Sequence, residues 1–355
     1  MKILILPGDG IGPETMLATL KVLRAVNDKY SLGLDLQVEE IGLATLKKVG
    51  TTLPPHVMDL VRNSQGVLLG PLSNFDYPPR DKGGVNVNPE MRVAFDLYAN
   101  IRPNRSRPGL SYAGKEMDLV IVRENTEGFY SDRNMFLGNG EFMPTEDLAL
   151  SVRKVSVKGC RRIAKVAFEI AARRRKKVTA IHKANVLKVT DGLFLREVRK
   201  IAQEYPQVKL EETIVDAAAA LLVREPARFD VMLTTNLFGD ILSDEAAELS
   251  GSIGLAGSLN AGDGVAFGQA QHGSAPEIAG KDIANPVSLM LSAGMLLDWM
   301  SSEHKQPALQ QGAKCISERI DLVLANPATR TRDLGGLLGT QAFADVVVEA
   351  VHKCS

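Results

Sequence analysis

Residues 231–248 read VMLTTNLFGDILSDEAAE, and this stretch decides how the rest of the chain is interpreted. Its apolar start predicts a β-strand, and the helical pattern that follows carries Asp240 and Asp244 four residues apart. Side chains at that spacing leave the same helix face one turn apart, where like charges repel each other. A divalent cation bound to both carboxylates, Mg²⁺ or Mn²⁺, would remove that repulsion. A solvated acidic face, continued by Glu245 and Glu248, is the alternative interpretation.

The composition limits the class of protein. The chain has 355 residues, of which 45% are hydrophobic and 24% charged, and a chain of this length predicts two domains. Its net charge is zero, which argues against a nucleic acid as the main partner. No apolar run approaches about 18 residues, so we expect no membrane-spanning helix. Cys160, Cys315 and Cys354 are scattered, which is typical of unpaired thiols in the reducing cytoplasm.

Strands and helices alternate along the chain, which predicts an α/β fold with a parallel or mixed sheet and ligands at the carboxyl ends of its strands. We expect a helix at 91–101, an extended arm at 142–157, and loops at 72–90 and 261–286. Strands are predicted at 2–6, 34–41, 66–70, 117–125, 176–185, 208–215 and 229–235.

The first turn of the chain does not match the dinucleotide-binding fingerprint. Gly8, Gly10 and Gly12 follow the first predicted strand with the spacing GxGxG, and Pro13 stands where that fingerprint has its third glycine. A second strand ending in an acid at the expected distance is also missing. We therefore expect no Rossmann site, and we interpret the turn as an α/β turn that lines a cleft.

Three arginines lie on a predicted helix or near element ends. Arg92, Arg102 and Arg123 could converge on a substrate with more than one carboxylate and bind each in bidentate geometry. Three unrelated surface arginines are the alternative. The turn HGSAPEIAG at 272–280 offers backbone N–H groups to phosphates, although the same sequence also fits a simple loop.

Tyr130 follows the residues RENTEGF, and Lys183 lies in HKAN at the end of a predicted strand. Each could transfer a proton to or from a substrate, and a structural role is the alternative for both. Asp216 opens the helix after another strand. That position fits either a helix N-cap or a third carboxylate ligand to a metal.

The chain resembles the isocitrate/isopropylmalate dehydrogenase family, the metal-dependent β-decarboxylating dehydrogenases. The resemblance is carried by the motifs LPGDGIGPE, YANIRP, RENTEGFY, HKANVLKVTDGLF, VDAAA, TTNLFGDILSDEAAEL and HGSAPEIAGKDIANP. It implies a two-domain α/β fold that is not a Rossmann fold. Residues 1–98 and 250–355 would form the cofactor-side domain, and 99–249 the substrate and dimerisation domain. An arm at about 136–157 would clasp the partner of a homodimer.

The resemblance also implies a role for each candidate residue. Arg92, Arg102 and Arg123 would bind the carboxylates of a small di- or tricarboxylate substrate. Lys183 would take a proton from the C2 hydroxyl and Tyr130 would return one to C3, and Lys183 and Asp216 would reach the site from the other subunit. Asp216, Asp240 and Asp244 would hold Mg²⁺ or Mn²⁺.

The cofactor site implied by the resemblance is an adenosine-binding loop with the residues His272, Gly273, Ser274, Ala275, Glu277, Ile278 and Asn285. Glu277 and Ile278 stand where NADP-dependent members place Lys and Tyr. A carboxylate there binds ribose hydroxyls and repels a 2′-phosphate, so NAD is favoured. Gln269 stands where many members have a glutamate near the nicotinamide ribose.

The substrate is indicated by two amides. Asn86 stands six residues before Arg92, where isocitrate enzymes carry a serine, and Asn88 retains their asparagine. Two amides suit a polar group on C3, and His182 before Lys183 points the same way, so an isocitrate-like substrate is favoured. 3-Isopropylmalate, homoisocitrate and tartrate or malate remain alternatives. The non-enzyme alternative is a regulatory subunit of a hetero-oligomeric isocitrate dehydrogenase.

Overall fold

The computed structural model describes residues 1–130, 135, 137, 138 and 140–353. Within these described residues, ten strands form one mixed sheet and two form a separate hairpin. In chain order the strands are β1 Lys2–Leu6, β2 Asp35–Val38, β3 Gly66–Leu69, β4 Ala99–Arg105, β5 Asp118–Glu124, β6 Glu141–Thr145, β7 Leu148–Ser151, β8 Lys177–His182, β9 Lys209–Ile214, β10 Val231–Thr234, β11 Gly257–Ala261 and β12 Ala266–Ala270.

The helices pack on both faces of this sheet. They are α1 Gly12–Tyr30, α2 Leu43–Val49, α3 Pro55–Arg62, α4 Val87–Ala94, α5 Val157–Ala172, α6 Thr190–Ala202, α7 Val215–Arg224, α8 Asn236–Ser250, α9 Val287–Glu303, α10 Pro307–Ala325 and α11 Thr340–His352. None of these helices has the length and apolarity needed to cross a bilayer, a finding that covers the described residues alone.

The strand order is β2-β1-β3-β12-β11-β4-β5-β10-β8-β9. The pairs β12–β11, β11–β4 and β4–β5 are antiparallel, and the strands on either side of this centre pair in parallel. The sheet is therefore mixed, which confirms the predicted α/β fold class. The parallel strands β5, β10 and β8 end at one edge, where the candidate residues follow them.

Each end of the sheet is covered on both faces. At the β1 end, α1, α9, α10 and α11 bury one face, and α3 and α4 bury the other. At the β8 end, α5 and α6 cover one face, and α7 and α8 cover the other. These clusters contain the large fully buried side chains Phe343, Phe267, Phe168, Phe194 and Phe229. The proposed division into two domains stays a prediction.

Two sequence predictions are wrong in their details. The helix expected at 91–101 is α4, which ends at Ala94, and residues 99–105 pair in the sheet as β4. The loop expected at 261–286 contains β12, and β11 precedes it. Both strands are rich in Gly and Ala, which are poor strand formers. A Cβ on Gly268 would lie 2.7 Å from the carbonyl oxygen of Ser292, so its small size lets α9 pack closely on the sheet.

The predicted arm contains the hairpin of β6 and β7. Phe142, Met143, Leu148 and Leu150 on this hairpin are exposed. Phe136 and Asn139 of the predicted arm lie outside the described residues, as does Cys354. Cys160 is a free thiol, and Cys160 and Cys315 are both buried.

Candidate active site

Two arginines are placed by adjacent strands of the sheet. Arg102 lies on β4 and Arg123 on β5, where Arg123 is paired with Asn100 on one side and with Thr234 of β10 on the other. Helix α8 begins directly after β10 and passes over both arginines. A Cβ on Gly239 would lie 2.6 Å from Cγ of Arg123, so glycine at this helix position permits the close approach.

Helix α8 presents two carboxylates to these arginines. Asp240 Oδ1 accepts a hydrogen bond from Nη1 of Arg123. Nη1 of Arg102 lies 3.2 Å from Asp244 Oδ1 and 3.8 Å from Asp240 Oδ1. The hydroxyl of Tyr130 donates to Asp240 Oδ2 at 3.2 Å. We call Arg102, Arg123, Tyr130, Asp240 and Asp244 the α8 half-site, which one chain assembles from β4, β5, α8 and the segment after β5.

Burial controls the electrostatics of the α8 half-site. The side chains of Arg102 and Arg123 are 8% and 2% exposed, against 37% for Asp240 and 54% for Asp244. Burial, together with the charge of Arg123, lowers the pKa of Arg102 to about 10, and the two aspartates oppose this shift. The result is a buried cationic floor with carboxylates at its solvent side.

The phenol of Tyr130 is kept protonated. Burial first and the charge of Asp240 second raise its pKa, whereas Arg123 and Arg92 lower it. Arg92 of α4 is thus near enough to influence Tyr130, whereas direct contacts with the aspartates of α8 are made by Arg102 and Arg123.

Three polar residues of this region were missed by sequence reasoning. Asn236 Oδ1 accepts from Nε and Nη2 of Arg123 at 3.1 and 2.6 Å. Ser243 Oγ accepts from Arg102 at 2.5 Å, and Gln271 Nε2 donates to Asp244 Oδ1 at 2.8 Å. The helical spacing of Asn236, Asp240 and Ser243 is a signal that could have identified two of them.

Lys183 and Asp216 pair with each other at the ends of the neighbouring strands β8 and β9. Lys183 Nζ lies 2.5 Å from Asp216 Oδ1, and their side chains are 28% and 69% exposed. The hydrogen bond from Lys183 lowers the pKa of Asp216. We call this pair the Lys183 half-site. No group of three His, Cys, Asp or Glu side chains within the described part of the chain is arranged to hold a metal.

A buried ion pair anchors both half-sites. Asp191 at the start of α6 accepts from the backbone N–H of Lys183 at 2.5 Å and forms an ion pair with Arg153. Arg153 also donates to Thr235 Oγ1 at 3.0 Å, directly before α8, and lies 5.4 Å from the ring centre of Phe238. The ion pair of Arg153 and Asp191 thus connects the end of β8 to the start of α8.

The two amides expected to contact a substrate lie at the start of α4. Asn86 is the N-cap residue and Asn88 follows in the first turn, one turn before Arg92. Asn88 Oδ1 accepts from Gln269 Nε2 on β12 at 2.8 Å. Gln269 is therefore in direct contact with the substrate candidate Asn88.

The candidate cofactor loop is attached to the first turn of the chain. The carbonyl of Ser274 accepts from the N–H of Ile11 at 2.8 Å, and its hydroxyl accepts from Ser73 at 2.8 Å. Gly10 has φ 56° and a Cβ there would lie 2.0 Å from Ser274 O, so the contact requires glycine. The glycine-rich turn thus supports this loop.

The other cofactor candidates flank that contact. His272 Nδ1 lies 2.9 Å from the carbonyl of Gly273, and burial lowers the pKa of His272. Ala275 has φ 38° and leads into a short 3₁₀ turn. Glu277 in this turn is exposed and Ile278 is half-buried. Further along, the buried Asn285 donates to Asp333 at 2.9 Å.

A cavity of about 1010 Å³ lies away from these residues. Side chains of α5 line one wall, those of α9 and α10 line the other, and β4 and β11 form its floor. None of the predicted site residues lines it.

Comparison with known proteins gives one consistent family. The family model "Isocitrate/isopropylmalate dehydrogenase" matches residues 2–351. The chain is 39% identical to a 3-isopropylmalate dehydrogenase of Saccharolobus solfataricus over 98% of both chains. It is 41% identical to an isocitrate/homoisocitrate dehydrogenase of Thermus thermophilus over 99% of both. A crystal structure of isocitrate dehydrogenase from Methylococcus capsulatus superimposes with a TM-score of 0.87, at 40% identity and 99% coverage of both chains.

Proposed function

Because the chain belongs to the isocitrate/isopropylmalate dehydrogenase family, we propose that it oxidises and decarboxylates a 3-substituted (2R)-malate, with NAD as the oxidant and Mg²⁺ or Mn²⁺ as the metal. The observation that carries this proposal is the α8 half-site. There, two carboxylates one helix turn apart meet two buried guanidinium groups and a protonated phenol. A substrate with several carboxylates and a metal bound to its oxygens requires this combination of charges.

The chemistry of the carboxylates fits a hard divalent cation. Asp240 and Asp244 would hold it with their exposed oxygens, and Asp216 of a partner subunit would supply a third carboxylate. Bound there, the metal would polarise the substrate oxygens, while NAD would accept the hydride from C2. One chain supplies two of the three acids in one place, which is why the proposed active site is shared between two subunits.

The protein side chains bind the substrate and move protons. Arg92, Arg102 and Arg123 would bind the substrate carboxylates, replacing contacts that the two arginines of the α8 half-site make with aspartates. Lys183 would accept the proton of the C2 hydroxyl, and Tyr130 would donate a proton to C3 after carbon dioxide leaves. A phenol is protonated at neutral pH, and the raised pKa of Tyr130 extends this protonation to more alkaline pH.

The proposed homodimer accounts for two exposed features. The Lys183 half-site is accessible and faces solvent, and the β6–β7 hairpin exposes four large apolar side chains. A partner chain would cover the hairpin and receive Lys183 and Asp216 in its own cleft. We also propose the two-domain division at residues 98/99 and 249/250, with the cleft between the domains.

An isocitrate-like substrate is proposed because Asn86, Asn88 and Gln269 give the cleft an amide wall beside Arg92. A carboxylate on C3 suits this wall better than an alkyl group does. 3-Isopropylmalate, homoisocitrate and tartrate or malate are the other candidates of the same reaction class. NAD is proposed because the exposed Glu277 would repel a 2′-phosphate. A cytoplasmic location is proposed because Cys160 is a free thiol and the cysteines of the sequence are few and scattered.

The test is NADH formation with a panel of 3-substituted malates in the presence of Mg²⁺ or Mn²⁺. We expect turnover that is fastest with isocitrate and that is lost with a chelator and restored by added metal. Turnover that persists after chelation would contradict the metal-dependent mechanism. Absence of turnover with every member of the panel would favour a regulatory subunit.

A further inference from the structure

A continuous row of amide side chains crosses the sheet from the end of β5 to the start of α4. Asn125 Nδ2 and Asn100 Nδ2 each donate to Asn260 Oδ1 at 3.0 Å. Asn260 Nδ2 donates to Gln269 Oε1 at 3.3 Å, and Gln269 Nε2 donates to Asn88 Oδ1 at 2.8 Å. The first four residues are buried and Asn88 is half-buried. We call these five residues the amide relay.

The polarity of the amide relay is set by the backbone at its far end. Asn125 Nδ2 also donates to the carbonyl oxygen of Leu97 at 2.8 Å. A backbone carbonyl can accept but cannot donate, so the NH₂ group of Asn125 must face it. Its second N–H then needs an acceptor, which is the oxygen of Asn260. Asn260 must therefore present its own N–H to Gln269.

Gln269 transmits this polarity to the cleft. Its oxygen is occupied by Asn260, so the group it presents to Asn88 is an N–H donor. Asn88 accepts this hydrogen bond with its oxygen. The two N–H groups of the Asn88 amide therefore remain to donate to a ligand. Asn88 stands one helix turn before Arg92 on the same face of α4, so these donors lie beside a guanidinium.

We propose that Gln269 is a positioning residue that orients the Asn88 amide, so that the cleft offers N–H donors to the C3 substituent of the substrate. The inference rests on the proposed function and narrows it. The substituent on C3 must carry a hydrogen-bond acceptor, and a carboxylate beside Arg92 satisfies this best. An alkyl substituent would leave the Asn88 donors without a partner.

A carboxylate at position 269 would reverse the polarity. Glutamate accepts from Asn260 as glutamine does, but its second oxygen has no proton to donate to Asn88 at neutral pH. The Asn88 amide would then turn, donate to the new carboxylate and present its oxygen to the cleft. That oxygen would face a substrate carboxylate, which it cannot bind.

The test compares Gln269→Glu with the native enzyme. We expect the ratio of kcat/KM for isocitrate to kcat/KM for 3-isopropylmalate to fall by about tenfold or more, through the KM for isocitrate. Asn88→Asp presents an oxygen to the cleft without altering Gln269 and should lower the ratio in the same direction. This second variant changes a half-buried residue, so it serves if the buried substitution prevents folding.

The Asn88→Ala background separates the relay from a direct effect. If Gln269 acts through Asn88, adding Gln269→Glu to that background leaves the ratio unchanged. The proposal would be overturned if Gln269→Glu lowered the isocitrate to 3-isopropylmalate ratio of kcat/KM equally in both backgrounds. It would also be overturned if the substitution did not lower this ratio in the native background. The KM for NAD, measured in parallel, registers any separate effect on the cofactor.

A second readout does not depend on turnover. In ¹⁵N-labelled protein, the side-chain N–H groups of Asn88, identified by their loss in Asn88→Ala, should exchange with solvent rapidly. In Gln269→Glu they should exchange more slowly, because they then donate to the carboxylate. Equal exchange rates would contradict the relay, whereas a native enzyme inactive on both substrates would contradict the proposed function instead.

Discussion

The two half-sites of this chain satisfy their charges in different ways. The α8 half-site holds its cations in the interior, with Arg102 and Arg123 8% and 2% exposed. The Lys183 half-site is an accessible ion pair, with Lys183 28% and Asp216 69% exposed. Buried guanidinium groups held by strands give a rigid binding floor. Separating an accessible ion pair at a strand end costs little free energy. Lys183 and Asp216 can therefore exchange this contact for others when a second subunit and a substrate bind.

Lys183→Met should have the largest effect on activity and little effect on stability. Removal of a catalytic base lowers kcat by about a thousandfold. Loss of this solvent-screened ion pair should change the free energy of unfolding only slightly. Steady-state kinetics and urea unfolding measure the two quantities. Lys209→Met is the matched control, because Lys209 forms a similar pair with Glu211 at 2.7 Å.

The control should leave kcat unchanged. If Lys183→Met lowered stability substantially and kcat in proportion to the folded fraction, the Lys183 half-site would be structural. The contrast between the two half-sites would then disappear.

Arg153→Met should disturb both half-sites together. The side chains of Arg153 and Asp191 are 7% and 0% exposed, and breaking such a pair lowers the free energy of unfolding by about 3 kcal/mol. The loss of one anchor for Lys183 and Thr235 should also lower kcat by about tenfold or more. Arg153→Met combined with Asp191→Asn removes the unpaired buried charge and should recover part of the stability but little of the activity. Full recovery of kcat in the double variant would contradict a positioning role.

The cofactor loop belongs to neither half-site, so substitutions in the loop should change cofactor preference and leave the function of both half-sites unchanged. Glu277→Lys with Ile278→Tyr replaces a repulsive carboxylate with a cation that can bind a 2′-phosphate. The ratio of kcat/KM for NADP to that for NAD should rise by about tenfold or more. The KM for the malate substrate should stay the same. An unchanged NAD preference would count against the assignment of Glu277.

The smallest effect concerns the acid stability of the helices beneath the Lys183 half-site. Hydrogen bonds from Lys200 and from Arg161 of α5 lower the pKa of Glu197 on α6 from 4.5 to about 2. A pKa lowered by folding stabilises the protein above the unfolded value, and this stabilisation is lost as the pH falls from about 4.5 to 2. Glu197→Gln should therefore flatten the decrease of the unfolding free energy in that window. An unchanged pH profile would show that these bonds do not contribute.

The α8 half-site could be anticipated in part, because its acids follow a helical spacing and Arg123 lies near the end of a predicted strand. Arg102 instead lies in the middle of β4, where the end of a helix was expected. The fold class followed from the alternation of strands and helices. The Gly- and Ala-rich strands β11 and β12 were missed because their strand character comes from packing under α9, not from local propensity.

Contacts between distant parts of the chain could not be predicted. Arg153 and Asp191 are 38 residues apart, and Gln269 and Asn88 are 181 apart. Neither pair follows a local period, and each depends on how whole elements pack. The family resemblance implied a position near the cofactor for Gln269 and near the substrate for Asn88. The hydrogen bond between them is visible only in the structure.

The shared active site is tested most directly by mixing two inactive enzymes. Tyr130→Phe and Lys183→Met each disable every site of their own homodimers. In a heterodimer of the two, a shared arrangement puts both substitutions in one site and leaves the other site intact. Co-refolding equal amounts should therefore restore about a quarter of the native kcat. No restoration, with heterodimers demonstrated by mass spectrometry, would show that each chain holds its own lysine and tyrosine in one site.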